Sequence, residues 1–214
     1  MGSLRRIKKI CVLASGGFDS SVLLADLLER GCEVYPFYVR SGFYWEKAEL
    51  YWLKRFLKAL SNRRLKPLTI AEVPMRWIMG GHWSLSGKGA PSSRAAWDSV
   101  YLPGRNLLLL SQAGVYAATH GIPTVALGVL RGNPFADSRP KFLKDMESAI
   151  NDALRSRLKV VAPYTKLGKT QVGRLAARLG KRFPLELTFS CLRPRGLAAC
   201  GKCSKCGETK TKLG

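Results

Sequence analysis

The first 20 residues constrain this chain more tightly than any later stretch. A largely apolar run of strand length, residues 7–14, ends on Ser15-Gly16-Gly17-Phe18-Asp19-Ser20, and from Ser21 the pattern turns helical through Val22, Leu23, Leu24, Leu27 and Leu28 to Gly31. Strand, glycine turn and helix in direct succession predict a buried strand whose carboxyl end hands the chain to a helix N-terminus. The two glycines permit a tight turn and a close backbone approach to an anion. Free N–H groups at the helix start, aided by the helix dipole, favour phosphate there. Ser15 and Ser20 add hydroxyl donors. Asp19 would repel phosphate by itself, so it is expected to hold a Mg²⁺ ion that bridges nucleotide phosphates.

The rest of the chain repeats the alternation. Strands are expected at 33–39, 68–73, 124–130 and 159–162, and helices at 45–60, 106–120, 141–156 and 169–179. This order predicts an α/β fold, a parallel sheet with helices on both faces. Ligands of such sheets bind at the carboxyl ends of the strands, which puts the loops after residues 14, 39, 73 and 130 on one rim. Helix 45–60 reads with Leu50, Leu53, Phe56, Leu57 and Leu60 inward and Glu46, Lys47, Lys54 and Lys58 outward. Periodicity fails over 74–99, where Gly80, Gly81, Gly87 and Gly89 accompany Trp77, His82, Trp83 and Trp97. A long aromatic loop in a compact domain is usually functional or mobile. The nucleotide motifs that compete with the glycine turn are absent: Gly168-Lys169-Thr170 ends like a Walker loop, but Pro163 stands where its first glycine belongs.

Cys191, Cys200, Cys203 and Cys206 follow C-x8-C-x2-C-x2-C near the C-terminus. Four thiolates at short spacing suit a closed, tetrahedral, structural Zn²⁺ site; an iron–sulfur cluster is the rival. Gly201 and Gly207 ease the turns, and Arg195, Lys202 and Lys205 offset the thiolate charge. The expected division is a nucleotide-binding domain over 1–185 and a zinc-binding segment over 186–214. Cys11 and Cys32 lie in apolar surroundings and read as ordinary buried thiols.

No apolar run approaches the ~20 residues of a membrane span, and the basic start followed by a short apolar run is too short for a signal peptide. A cytoplasmic enzyme is expected. Lys plus Arg number 36 against 14 acids, a net charge of +22, which attracts polyanions such as nucleotides or RNA. The excess is concentrated late: residues 155–214 carry 15 basic residues and two acids, Glu186 and Glu208.

The S-G-G-x-D-S string resembles the signature of the PP-loop ATP pyrophosphatases. Followed in order by Pro103-Gly104-Arg105-Asn106 and the terminal C-x8-C-G-x-C-x2-C, it resembles the 7-cyano-7-deazaguanine synthase family over most of the chain. That resemblance implies a PP-loop domain with a small zinc-bearing segment, assembled as a homodimer. The implied reaction activates 7-carboxy-7-deazaguanine with ATP and converts it with ammonia to the nitrile of queuosine and archaeosine precursor synthesis. It places Ser15, Gly16, Gly17, Phe18, Asp19 and Ser20 around ATP and sets Lys169 on the phosphates. Arg105 and Asn106, opening a helix beside the rim, either anchor phosphate or substrate or lock the loop.

Two segments depart from the family pattern. Leu130-Arg131-Gly132-Asn133-Pro134-Phe135-Ala136-Asp137-Ser138-Arg139 is shorter than its counterpart and lacks the leading acid, and Tyr38-Val39-Arg40-Ser41-Gly42 replaces a Y-x-Q-R-H-like string. Phe135, Asp137 and Arg139 can still be matched. Trp77, Trp83, Trp97 and Phe135 are expected to stack on a flat heteroaromatic acid, with Arg105 or Arg139 pairing its carboxylate and Asp137 accepting its N–H groups. The alternative is a PP-loop tRNA-modifying enzyme, a thiolase or lysidine-type ligase, which the charge favours.

Overall fold

A computed structural model describes residues 8–213; Ile7, the expected start of the first strand, and the side chains of Trp97 and of 209–213 lie outside the described residues. The elements run β1 Lys9–Leu13, α1 Phe18–Glu29, β2 Glu33–Arg40, α2 Glu46–Leu60, β3 Thr69–Glu72, α3 Arg76–Met79 and α4 Trp83–Ser86. They continue as α5 Arg105–Thr119, β4 Thr124–Ala126, α6 Pro140–Leu154, β5 Lys159–Val161, α7 Lys169–Leu179 and α8 Ser204–Leu213.

All strand pairs are parallel, and the order is β3-β2-β1-β4-β5. The fold class read from the alternation is therefore the one observed. Side chains alternate along each strand, so the sheet feeds two cores. Ile10, Val12, Val34, Tyr38 and Ala126 pack with α1, α2 and α7 on one face. Cys11, Leu13, Phe37, Val39, Val125 and Leu127 pack with α5 and α6 on the other. β1 is fully enclosed, with Ile10, Cys11 and Val12 wholly buried. At about 25 cal/mol per Å² of apolar surface, such central strands supply much of the folding energy.

The strand order reverses direction beside β1: the chain moves outward to β2 and β3, then returns to β4 on the other side. At such a switch point the loops above β1 and β4 diverge and leave a crevice. No helix among the described residues is long and apolar enough to cross a membrane.

A third, satellite core lies beyond the sheet. Phe43, Trp45, Ala48 and Leu102 pack there with Phe189, Leu192 and the cysteines. Trp45, expected in the helix, instead caps α2 from outside and is buried. The 74–99 segment forms the two single-turn helices α3 and α4 and then pairs with the cysteine segment: Ser92 bridges Cys203, the Ser93 N–H donates to the Lys202 carbonyl and the Ser204 N–H to the Pro91 carbonyl, both at 3.0 Å.

Candidate active site

The turn after β1 is built as the glycines demand. Gly16 takes φ +72°, and a Cβ there would stand 3.2 Å from Leu53 Cβ, so the position favours glycine for conformation and for space. Gly17 precedes the first turn of α1 without a side-chain cap, which leaves the helix start open toward the crevice. The Ser15 and Ser20 hydroxyls lie 3.0 Å apart, and Ser20 Oγ donates to the Gly17 carbonyl at 3.1 Å. Both serines thus brace the loop itself. Above β4, Gly128 approaches from the far side: a Cβ on it would meet the backbone of Asp19 and Ser20 at 3.3 Å.

These loops open on a cavity of about 280 Å³ lined by Ser15, Gly17, Phe18, Asp19 and Ser20 on one side and Leu127, Gly128 and Val129 on another. Arg105, Asn106 and Asn133 contribute a third side, and Ser190, Cys191, Leu192, Lys205 and Glu208 a fourth. The fourth side is joined to the turn after β1 by the Phe189 N–H, which donates to the Gly16 carbonyl at 2.8 Å, and to α2 by Trp52 Nε1, which donates to the Leu197 carbonyl at 2.7 Å.

Arg105 and Asn106 occupy the first turn of α5, after Gly104 at φ +65°. Asp137 holds them there. Its carboxylate accepts the Asn106 backbone N–H at 3.0 Å, and Asn106 Nδ2 donates to the Asp137 carbonyl at 3.1 Å. A buried acid at a helix start satisfies a free N–H and complements the dipole. The Arg105 guanidinium lies 5.9 Å from the centre of the Phe43 ring, and its buried Nε has no hydrogen-bond partner among the described residues.

The four cysteine sulfurs lie within 4.8 Å of one another, with Cys203–Cys206 at 3.5 Å and Cys203–Cys191 and Cys200–Cys206 at 3.9 Å. Four sulfurs ~2.3 Å from one ion in tetrahedral array stand about 3.8 Å apart, so the set fits a single metal ion. Backbone N–H groups of Leu192 and Cys200 point at Cys203 and Cys191 sulfurs from 3.3 Å, which stabilises thiolate charge.

The other expected residues fall around this cavity. Lys169 opens α7 and pairs with Glu208 at 3.0 Å, reaching the cavity through that wall residue. Of the 131–139 segment, Asn133 faces the cavity; Phe135 packs on Tyr101 with ring centres 5.2 Å apart, Asp137 supports Asn106, and Arg139 is exposed. Trp83 packs on Trp45 at 5.8 Å and Trp77 is 90% exposed, so neither lines the cavity.

Glu46 requires a correction. Expected outward, it is 5% exposed, and its carboxylate accepts the Ser41 and Gly42 backbone N–H groups. One turn on, Glu49 is 9% exposed, lines the cavity and accepts the Tyr38 hydroxyl at 2.7 Å. Burial pushes the Glu49 carboxyl up to about 7, against the opposing pull of the Arg105 charge and the Tyr38 hydrogen bond. Burial likewise raises Glu46, opposed by its backbone hydrogen bonds. The signal available in the sequence was their spacing on the helix end nearest the rim; Gly128, a glycine directly after a buried strand, offered a similar one.

Residues 9–213 match the family described as "Queuosine biosynthesis protein QueC". The chain is 32% identical over 208 residues to 7-cyano-7-deazaguanine synthase 1 of Desulfitobacterium hafniense, covering 96% of this chain and 91% of that protein. In fold it is similar to a 4-thiouridine synthetase solved with RNA and bound ATP (TM-score 0.54, 19% identity, covering 96% of this chain and 50% of that one). It is also similar to the U34-tRNA thiolase NcsA of Methanococcus maripaludis with its [4Fe-4S] cluster (TM-score 0.52, 15% identity, covering 96% and 66%). With a glycine turn at the sheet's switch point, an arginine–asparagine helix start and a four-cysteine wall on one cavity, and a family match over almost its whole length, this chain belongs to the QueC family.

Proposed function

We propose that this chain is an ATP-dependent carbon–nitrogen ligase that activates the carboxylate of 7-carboxy-7-deazaguanine by adenylation and converts it with ammonia to 7-cyano-7-deazaguanine. The observation that carries this reading is the meeting of the S-G-G-x-D-S turn, Arg105 and the cysteine wall on one cavity, in a chain whose relative is named for that synthesis. The open start of α1 receives the ATP phosphates, with the Gly17 and Phe18 backbone closest. Asp19 would hold the Mg²⁺ that arrives with ATP, an ion whose charge would offset that of the pyrophosphate leaving group. Arg105 pairs with the acid before activation, and Asn106, fixed by Asp137, keeps that guanidinium in place. Lys169 acts on the phosphate side through Glu208 and Lys205. Phe135, packed on Tyr101, and the exposed Arg139 are assigned to the substrate side on the family resemblance.

A carboxylate does not accept ammonia until one of its oxygens becomes a leaving group. Adenylation provides that and, with ammonia, yields the amide; activation of the amide oxygen by a second ATP makes it a leaving group in turn and yields the nitrile, so the chain's tasks are positioning and charge stabilisation. Zn²⁺ on Cys191, Cys200, Cys203 and Cys206 would be structural, since four thiolates close its coordination shell; sulfur separations suited to one ion favour it over a cluster, which interposes its own iron and sulfide. Segment 186–214 is then a metal-built wall of the 1–185 domain. A cytoplasmic homodimer goes with the same reading, and light scattering tests the dimer. The tRNA-modifying alternative draws on the net charge of +22, and retention of unmodified tRNA at physiological salt would favour it.

The test is incubation with ATP, Mg²⁺, ammonium and the acid, followed by chromatography and mass spectrometry. AMP, pyrophosphate and the nitrile are expected. ADP and phosphate as the only nucleotide products would overturn the reading.

A further inference from the structure

A smaller chamber of about 50 Å³ adjoins the main cavity and shares Ser15, Glu49 and Arg105 with it. It lies above β1 and β2 and adds Tyr38, Glu46 and Phe43 to that common wall. A bicyclic acid does not fit so small a space, whereas a molecule the size of water, ~30 Å³ in the liquid, does.

The charges of the chamber are unbalanced. Glu46 and Glu49 supply two carboxylates and Arg105 one guanidinium. Arg40, the next cation along β2, is turned to the surface in a 2.7 Å pair with Glu72. The Glu46 oxygens are taken by backbone N–H groups. Glu49 Oε2 accepts the Tyr38 hydroxyl, and Oε1 accepts no hydrogen bond from the described residues. Buried charges are strongly unfavourable unless compensated. One further positive charge is called for beside Glu49, and a proton or a small cation with N–H donors supplies it.

Resting on the ligase reading above, we infer that this chamber is the ammonia site and that Glu49 is the base that converts bound ammonium to the nucleophile. Ammonium enters as the compensating cation and donates an N–H to Glu49 Oε1. The proton passes to the carboxylate, leaving neutral Glu49 and free ammonia against the common wall. The nitrogen lone pair forms a bond to the acyl carbon of the adenylate, the bond from that carbon to the AMP oxygen breaks, and the nitrogen passes a second proton to the departing AMP phosphate as the amide forms. AMP departs with the electron pair of the broken bond. A low-dielectric chamber with a carboxyl poised near neutrality suits this transfer, because proton and ammonium compete for one place.

The experiment uses the full-length, metal-loaded chain and its Glu49→Gln and Tyr38→Phe variants. Three rates are measured: acid-dependent ATP–pyrophosphate exchange without ammonia, product formation against ammonium, and hydroxamate formation with hydroxylamine, a nucleophile uncharged at neutral pH. Glu49→Gln is expected to lower kcat/KM for ammonium by about 100-fold, with exchange, hydroxamate formation and the KM of the acid changed by no more than about threefold, since those readouts do not use the base. Tyr38→Phe, which removes a hydrogen bond that lowers the Glu49 pKa, should shift the ammonium-dependent pH profile upward. Equal losses with ammonium and hydroxylamine, or a raised KM for the acid alone, would overturn the assignment and make Glu49 a general support or a contact to the heterocycle. An unmoved Tyr38→Phe profile would count equally against it. If wild type shows no acid-dependent exchange, the ligase reading itself fails and takes this proposal with it; with exchange intact, only the ammonia site is in question.

Discussion

Two walls of the same cavity are held in place by different forces. The first, Ser15–Ser20 with Leu127–Val129, rises directly from β1 and β4, whose residues are almost all buried. Its geometry follows from hydrogen-bonded parallel strands and two glycines. The second, Ser190–Leu192 with Lys205 and Glu208, has no strand beneath it among the described residues. It is gathered by four cysteines, a satellite core of aromatics and a few backbone bonds, among them Phe189 to Gly16. A wall on a sheet keeps its shape as long as the domain is folded. A wall drawn together by thiolates on a shared ion would keep its shape only while that ion stays bound, because such binding energy is folding energy.

The largest effect expected is therefore at the cysteines. Cys203→Ser, or a strong chelator, should remove the metal and abolish turnover. Hydrogen exchange should accelerate over 189–206 and 91–93 while β1 and β4 stay protected. Uniform loss of protection would show that the two walls are one cooperative unit and dissolve the comparison. Next comes the sheet wall: Asp19→Asn should lower turnover by at least ~100-fold, as loss of a transition-state charge stabiliser does, with metal content and melting temperature unchanged. Near-normal turnover would remove Asp19 from the Mg²⁺ role.

A third prediction concerns the seam between the walls. Glu49 lines the cavity that both enclose, and its carboxyl is raised from about 4.5 to about 7. In the unfolded chain it loses its proton near the lower value, in the folded chain only near the higher. The folded state therefore binds more protons, and this group's contribution to stability falls as pH rises between the two. The loss amounts to about 3 kcal/mol, and Glu49→Gln should flatten that part of the curve. Arg105, Tyr38 and Glu46 face the same carboxyl; denaturant titrations of wild type and variant across this range test the sign, and a variant curve parallel to wild type would refute it. The smallest effect belongs to the support of α5: Asp137→Ala removes the acceptor of the Asn106 N–H and should cost about 1–2 kcal/mol. A larger loss of turnover than of stability would sharpen its role as the residue that aims Arg105.

Much of the cavity was legible because its signals are local. The turn after β1 announces itself by glycines between a strand run and a helix run, and the cysteines by their spacing; both need only neighbours in sequence. The first turn of α5 was placed correctly for the same reason. Glu46 and Glu49 were legible only as a spacing at the rim end of a helix, which does not tell burial from exposure. On a helix with Lys47, Lys54 and Lys58 in view, two glutamates near the N-terminus look like a solvated face, and only the docking of Tyr38, Arg105 and the 41–43 loop over them makes them buried. The aromatic segment 74–99 misled in the opposite direction. Its tryptophans suggested ring stacking with a ligand, yet Trp83 serves the satellite core and the segment's backbone carries the cysteine region.

The sequence by itself determined the alternation of strands and helices, the glycine turn after β1 and the four sulfurs, because each depends on backbone preference or on residues a few positions apart. Tertiary structure alone decided the strand order, and with it the switch point that sets Gly128 against α1 and opens the crevice. It also decided that the cysteine segment would close over that crevice, and that two glutamates would share a small chamber with one arginine. Those outcomes rest on contacts between residues up to 170 or more positions apart, such as Phe189 on Gly16. No local pattern encodes which surfaces meet; that follows from the combined burial of the three cores.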